Sequence, residues 1–352
     1  MFKSLLIVVA ICYASTVLAE DSIVFCNKNT SSNKKKADLT YGYLFFCKTR
    51  SQKKSFSCNL RAYNISDGIV NESANDTLQP LLKKWQVNSF ATCYYAGSLT
   101  GLYFLWYADY SSGAFHFFND SREWKGMDKF GHTITTFHVA RIQSELYQSA
   151  GYNQRKSACI GAICSFSYMT LIEVMDGFSE GWGFSVSDWA ADGLGLSLFA
   201  LNELSGRDNL LTLKFSSAPT NYAQYNPELL GKNWLQSTLK DYNGQTYWLS
   251  LNIAECLKQG NSFPGWLNMA VGYGANGMIG AEDNPAEVNG KAVPYFERYN
   301  QFYLSPDIDF SKIKVNGRGW KLLLSSLNFI KFPAPALEWN NSNGMKFHFL
   351  YF

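Results

Sequence analysis

The stretch SDWAADGLGLSLFALNEL, residues 187–204, decides the fold class, because the texture of the chain changes directly after it. It is apolar almost throughout, with its few polar residues at helical spacing, and it reads as the last of a series of apolar helices. From Leu211 the pattern switches to period two. In TYWLSLNI, residues 246–253, Tyr247, Leu249, Leu251 and Ile253 share one face of a strand, and Thr246, Trp248, Ser250 and Asn252 share the other. Leu267, Met269, Val271 and Tyr273 oppose Asn268, Ala270 and Gly272 in the same way. Further strands read at 299–305, 308–310 and 345–352, with an amphipathic helix at 320–330 between them.

Working backwards from residue 187, three more apolar helical segments read at 90–107, 127–150 and 156–175. The first carries Gly97 and Gly101, spaced for close helix approach. All four approach the ~17–20 residues that cross a bilayer, and only the first is free of charge. The expected fold is α+β: four apolar helices forming a bundle over 86–208, at least partly membrane-embedded, followed by an antiparallel strand-rich region over 209–352. Five or six strands are too few for a self-contained spanning barrel, which needs about eight. A curved sheet packed on the helices or on a membrane face is expected instead. The ending KFHFLYF, 346–352, looks like the terminal aromatic assembly signal of outer-membrane β-proteins, and a buried edge strand accounts for it equally.

The N-terminal residues predict export. Lys3 supplies a positive start, residues 5–13 an apolar run, and Val17-Leu18-Ala19 a cleavage site ahead of Glu20, so 1–19 reads as a signal peptide. Cys12 resembles a lipoprotein cysteine, but Ile11 stands where such a signal needs a small residue. Residues 20–85 form a polar, basic, low-complexity segment. Residues 20–84 hold eleven Lys/Arg against six Asp/Glu, which leaves 85–352 about three charges negative within a total of +3. The basic segment reads as a solvated spacer or as an arm that attracts anionic lipid or polysaccharide. No motif supports nucleic-acid binding. Charged residues make up 17% of the chain and apolar residues 47%, against a usual charged share of ~25%, so contact with lipid or a partner is expected to cover part of the surface. Cys26, Cys47, Cys58, Cys93, Cys159, Cys164 and Cys256 would remain after cleavage, an odd set without a complete disulfide framework. No Cys/His spacing resembles a zinc site, so no metal ligand is assigned from that pattern and no cofactor is expected.

The apolar helices carry polar residues in pairs. Asp128 and His132 are i,i+4 with Lys129 between them, Glu173 and Asp176 are i,i+3, and Asp188 and Asp192 are i,i+4 behind the capping candidates Ser185 and Ser187. Carboxylates are almost never buried unless paired, so these groups are expected to converge. Three readings stand. Lys129 and His132 lock the bundle by pairing with the acids; or His132, Glu173, Asp176 and Asp188 supply acid–base chemistry, or the acids hold a hard cation; or Asp128, Lys129, His132, Glu173, Asp176, Ser185, Asp188 and Asp192 bind a polar head group. His116 reads as a packed or interfacial histidine, and His138 does not share the face of His132.

The series Trp124-x-x-x-Asp128-Lys129-x-x-His132, Glu173-x-x-Asp176-Gly177 and Gly183-Phe184-Ser185-x-x-Asp188-x-x-Ala191-Asp192-x-x-Gly195 resembles the YfiM-like family of predicted periplasmic or outer-membrane (lipo)proteins of unknown function. Phe115 to Asp120, Lys240 to Ser250 and the Lys346-Phe347-His348 ending also look like the long form of that family. The order Asp-Lys-x-x-His, Glu, Ser-x-x-Asp is similar to VanZ-like membrane proteins, which would imply four membrane helices with inward polar groups; the export signal and the strand-rich extension depart from that pattern. These resemblances imply an exported cell-envelope protein, in the periplasm or at the outer membrane of a Gram-negative-type envelope, with an accessory or structural role and a membrane lipid or envelope component as partner. The alternative is a membrane-interface enzyme or binding protein for a lipid or glycolipid, working through the Asp/Glu/His cluster.

Overall fold

Four long helices form on the apolar segments of the N-terminal half: α1 (Lys84–Leu102), α2 (Met127–Ser149), α3 (Gln154–Gly177) and α4 (Val186–Leu204). This computed structural model describes residues 82–351 apart from 109–110, 208, 258–262 and 317. The export signal and residues 20–81 of the polar segment, with Cys26, Cys47 and Cys58, lie outside the described residues.

Local chemistry sets the helix starts. The Asn153 side chain accepts from the Lys156 amide at 2.9 Å at the head of α3, and the Ser185 hydroxyl accepts from the Asp188 amide at 3.0 Å at the head of α4. Each side chain occupies a backbone N–H that the helix itself leaves unpaired. Two glycines let the helices touch. A Cβ on Gly161 would lie 2.3 Å from the Ala140 carbonyl oxygen, and one on Gly195 would lie 2.2 Å from that of Thr133. α2 is therefore held backbone-close to both α3 and α4. Gly97 and Gly101 have no such role, since a Cβ on either meets nothing within 4 Å.

The bundle also differs from the expected one in its make-up. Eight helices occur among the described residues, four of them short. α2, α3 and α4 pack against one another, and α1 lies on the outside with Val87, Ala91, Tyr95 and Leu99 against Val139, Tyr147, Ile160 and Tyr168. Among the described residues α3 alone is long and apolar enough to cross a membrane. Cys93, Cys159, Cys164 and Cys256 are free thiols.

The C-terminal half is an antiparallel sheet of six strands: β3 (Leu211–Ser217), β4 (Gln245–Asn252), β5 (Leu267–Asn276), β8 (Tyr299–Ile308), β9 (Ala334–Asn340) and β10 (Gly344–Tyr351). The strands pair in chain order, and the small hairpin β6 (Glu287–Val288) and β7 (Lys291–Ala292) is inserted between β5 and β8. A further two-residue parallel pair, β1 (Phe117–Phe118) with β2 (Phe184–Ser185), sits among the helices. The free edge of β3 is covered by the segment leading into β9, because the Phe215 amide donates to the Phe329 carbonyl at 2.8 Å and the Lys331 amide to the Phe215 carbonyl at 2.9 Å.

The alternation read from the sequence partitions the residues as observed along β4 and β5, except that Ile253 opens the short helix Ile253–Cys256. The polarity of the two faces is inverted relative to a soluble sheet. One face carries the rows Phe215–Tyr247–Tyr273–Phe302–Trp339–Met345 and Leu213–Leu249–Val271–Leu304–Leu337–Phe347 across all six strands. The β3–β4 end of this face packs on α2 and α4 through Phe137, Phe199, Leu211, Leu213 and Leu249. Beyond it, Val271, Phe302, Leu304, Trp339 and Phe347 are exposed. The other face is the buried one: around an apolar cluster of Trp248, Ala270, Tyr303 and Ala336 it holds Thr212, Lys214, Ser250, Asn252, Asn268, Ser305, Asp307 and Glu338. The sheet curls around these groups far enough for the Thr246 and Tyr351 hydroxyls, on β4 and β10, to meet at 3.0 Å.

Ion pairing makes that interior possible. Asp307 Oδ2 lies 2.9 Å from Lys214 Nζ and accepts from the Ser250 hydroxyl at 2.7 Å, while its Oδ1 lies 3.7 Å from Lys331 Nζ. Lys214 also donates to the Ile308 carbonyl at 2.6 Å, and Lys331 to the carbonyls of Pro306 and Phe332 at 2.9 and 2.8 Å. Burial holds the Lys331 ammonium down at about 8 despite Asp307. Removing one partner of a buried ion pair typically costs about 3–5 kcal/mol, because the other charge is left uncompensated. Asp307→Asn strands two ammonium groups, so its urea unfolding midpoint should fall by an amount corresponding to at least about 3 kcal/mol. Leu337→Ala on the outward face should change it by less than about 1 kcal/mol in detergent-free buffer.

Candidate functional site

All the polar pairs of the helices converge in one place. α2 presents Asp128, Lys129 and His132, α3 presents Glu173 and Asp176, and α4 presents Asp188 and Asp192, with Ser185 at its cap. α2 starts after an unusual turn: Trp124, Lys125 and Gly126 are all left-handed, with φ of 47°, 53° and 77°. Non-glycine residues avoid this region, at about 1–3 kcal/mol each. The turn is pinned from the C-terminal half, where the Tyr273 hydroxyl donates to the Lys125 carbonyl at 2.6 Å and the Ala281 carbonyl accepts from the Trp124 amide at 2.9 Å.

The cluster has two adjoining compartments. In one, Lys129 Nζ sits 2.8 Å from Asp120, 2.7 Å from Asp128 and 2.9 Å from Asp188. Asp120 in turn accepts from the hydroxyls of Ser185 at 2.6 Å and Ser187 at 2.8 Å. In the other, His132 Nδ1 lies 3.2 Å from Asp192 Oδ1 and 3.6 Å from Glu173 Oε1. The Thr136 hydroxyl donates to Asp192 Oδ1 at 2.8 Å, and the Ser185 amide to Glu173 Oε2 at 3.1 Å. Asp176 stands to one side, accepting from the Tyr107 hydroxyl at 2.7 Å. The other histidines lie elsewhere: His138 Nε2 contacts the Leu213 carbonyl at 2.7 Å, and His116 Nε2 that of Trp182 at 2.7 Å.

Asp120 is the residue that helical spacing misses. It precedes α2 in a loop, so no i,i+4 relation ties it to Lys129 or Ser185. Its signals are its place in Asn119-Asp120-Ser121, a loop-type triplet shortly before a helix, and its position at the end of the Phe115 to Asp120 stretch that resembles the long form of the YfiM-like family. Tyr107 and Thr136 also enter unannounced, as ordinary members of apolar helices.

Six carboxylates, of Asp120, Asp128, Glu173, Asp176, Asp188 and Asp192, share only Lys129 and His132 as cations. The imbalance appears in their protonation. Burial, with acidic neighbours adding to it, pushes Glu173 up to about 8 and Asp188 to about 7, and burial with the Asp120 charge pushes Asp176 to about 7. Burial drives His132 down, but the hydrogen bond to Asp192 and the charges of Asp188, Asp192 and Glu173 outweigh it and hold the imidazole at about 10. Burial raises Asp120 as well, yet hydrogen bonds with Asp188, Lys129 and Ser185 bring it down to about 2. Groups that titrate near neutrality in one cluster can give and take protons at physiological pH. Two sets of donors also have metal-binding geometry: His132, Glu173 and Asp192, and Asp120, Asp128 and Asp188, each with ligand atoms within 4.8 Å of one another. The cluster lies away from the cavity of about 390 Å³ at the mouth of the curled sheet, which Thr220, Asn243, Gln301, Glu338, His348 and Tyr351 line.

A family model described as "Predicted periplasmic lipoprotein (DUF2279)" matches residues 116–203, one quarter of the 352-residue chain. That match begins just before Asp120 and ends just after Asp192, so it encloses both compartments. No curated protein and no solved structure matches the chain.

The raised acids fix the sign of the pH dependence. Between the ordinary carboxylate range and about pH 8 the unfolded chain has lost protons that folded Glu173, Asp176 and Asp188 retain, so their stabilising contribution is lost as pH rises. In buffer without divalent cations, the urea midpoint should fall from pH 6.5 to pH 8. Glu173→Gln, which fixes the uncharged form, should weaken that fall; a variant with an unchanged pH slope would show that Glu173 does not hold its proton in this range.

Proposed function

We propose that this protein is an exported cell-envelope component that lies against the periplasmic leaflet of the outer membrane in an accessory or structural role, with the exposed part of its six-stranded sheet turned to lipid. One observation carries the reading: the sheet turns apolar rows outward and keeps its charged side chains inside, beside Trp248 and Tyr303. A sheet that faces water on one side buries its apolar face. A lipid-facing sheet does the reverse, and outer-membrane β-proteins pair an apolar outer band with aromatic rows at its border. Here the aromatic row Tyr273–Phe302–Trp339 borders the aliphatic row Val271–Leu304–Leu337, and Met269 and Pro306 extend the apolar face by a third row.

The dimensions suit one leaflet. Rows two residues apart are ~7 Å apart along a strand, so three rows cover ~14 Å, about half of the ~30 Å hydrocarbon core. Immersion on one side leaves the polar interior and the helices on the periplasmic side. The description of the matching family, a periplasmic lipoprotein, agrees with this placement. The second reading, a membrane-interface enzyme or binder for a lipid or glycolipid, draws support from Glu173, Asp176 and Asp188, whose protons are held near neutral pH.

Vesicle flotation tests the first reading. The purified chain should float with vesicles of phosphatidylethanolamine and phosphatidylglycerol. Leu304→Arg on the outward face should cost about 2 kcal/mol, roughly a thirtyfold loss in partitioning, while Lys291→Glu on the β6–β7 hairpin should bind within about twofold of wild type. Equal flotation of Leu304→Arg and wild type would remove the sheet as the lipid-facing surface.

A further inference from the structure

We propose that His132, Glu173 and Asp192 form a binding site for one divalent first-row transition-metal ion, of the Zn²⁺ or Mn²⁺ kind, inside the helical core. The inference is independent of the membrane reading.

Geometry comes first. Atoms bound to one ion at ~2.1 Å are about 3.0 Å apart at an octahedral edge and about 3.4 Å at a tetrahedral one. His132 Nδ1 lies 3.6 Å from Glu173 Oε1, and with one carboxylate oxygen of Asp192 they form a set of ligand atoms all within 4.8 Å of one another. The three side chains come from α2, α3 and α4, which Gly161 and Gly195 lock together, so the set is rigid,.

Unused oxygens are the second and separate observation. Asp192 is fully buried and Glu173 is 1% exposed, yet Asp192 Oδ2 and Glu173 Oε1 have no hydrogen-bond donor. Buried carboxylate oxygens are normally paired or metal-bound. The remaining oxygens of both residues do have donors, Thr136 on Asp192 and the Ser185 amide on Glu173. Outer partners of this kind orient the ligands of metal sites.

The adjoining compartment shows the same problem solved by a side chain. Three carboxylates there surround Lys129 Nζ at 2.7–2.9 Å, where the ammonium supplies the positive charge. Among the described residues no lysine reaches the His132 compartment, and one imidazole nitrogen faces both acids. His132 is 20% exposed, which leaves an approach for an ion. A nitrogen ligand with two carboxylates suits Zn²⁺ or Mn²⁺, whereas Ca²⁺ takes six to eight oxygens and Mg²⁺ keeps most of its waters.

The full chain, stripped with a chelator, would be titrated by calorimetry with Zn²⁺, Mn²⁺, Mg²⁺ and Ca²⁺. One equivalent of Zn²⁺ or Mn²⁺ should bind with at least tenfold preference over Mg²⁺ and Ca²⁺ and raise the melting temperature. Cobalt substitution should give visible absorption bands that are lost in His132→Gln. Glu173→Gln and Asp192→Asn should weaken binding at least tenfold, and Lys291→Glu on the distant β6–β7 hairpin should leave it within about threefold. Glu173→Gln reproduces the uncharged form that burial already favours in the metal-free protein near neutral pH, so its metal-free form should melt no lower than wild type and keep its far-ultraviolet dichroism, which separates lost ligation from lost folding. The proposal is overturned by the absence of saturable Zn²⁺ or Mn²⁺ binding, by binding that survives in both carboxylate variants, or by equal or tighter binding of Ca²⁺ or Mg²⁺.

Discussion

Asp307 lies between Lys214 and Lys331, and the C-terminal half depends on that arrangement. A polar sheet interior is unfavourable unless its charges are paired and its lone pairs filled. The three residues, with Ser250, Ser305 and the carbonyls of Pro306, Ile308 and Phe332, provide the partners. Once the inner face is satisfied in this way, the outer face is free to be apolar. The alternating strands then present hydrocarbon outward while the buried charges inside keep partners of opposite sign. The same network anchors the Phe329–Lys331 segment that covers the β3 edge, so the inverted polarity and the protected edge have one physical origin.

The two halves of the chain differ in how much of this was legible in the sequence. Helical pairs such as Asp128 with His132 and Asp188 with Asp192 show their common face through spacing alone, and apolar surroundings oblige them to meet. Period two is less informative. It assigns Leu249 and Val271 to one face, and Trp248 and Gly272 to the other, but it is symmetrical and does not say which face is inside. Only the long-range partners decide that, since Lys214 and Asp307 stand on strands far apart in the chain. A faint signal exists in single charges, Lys214 in LTLKFSS and Lys331 between Ile330 and Phe332, placed where a soluble strand has little use for them. Asp120 was hidden for a related reason, because a loop residue has no period.

The helical cluster is built on the opposite principle from the sheet. In the sheet two cations share one central carboxylate. Around His132 the acids outnumber the cations, and protonation of Glu173, Asp176 and Asp188 is how the cluster relieves its repulsion. Such an arrangement is costly for a purely structural lock, which would be better served by apolar residues of similar volume. Surplus buried charge at a junction of three rigid helices is the condition in which a ligand of opposite charge gains most from binding.

The two halves meet at the turn before α2. Phe130, one residue beyond Lys129, stacks on Tyr273 with ring centroids 4.6 Å apart and lies 6.2 Å from Tyr247. The Tyr273 hydroxyl holds the left-handed Lys125 through its carbonyl. Tyr247 and Tyr273 belong to the aromatic row of the sheet's outward face, beside the aliphatic row of Leu249 and Val271. The strained turn that aims Asp128 and Lys129 is thus fastened to the row of the sheet nearest the proposed membrane boundary. A shift of that row on seating in lipid would bear on a turn that already stores backbone strain, and through it on the compartment that Lys129 fills. The C-terminal half fixes the turn through the Tyr273 hydroxyl and the Ala281 carbonyl together, and with it the direction from which Asp128 and Lys129 enter the charged cluster.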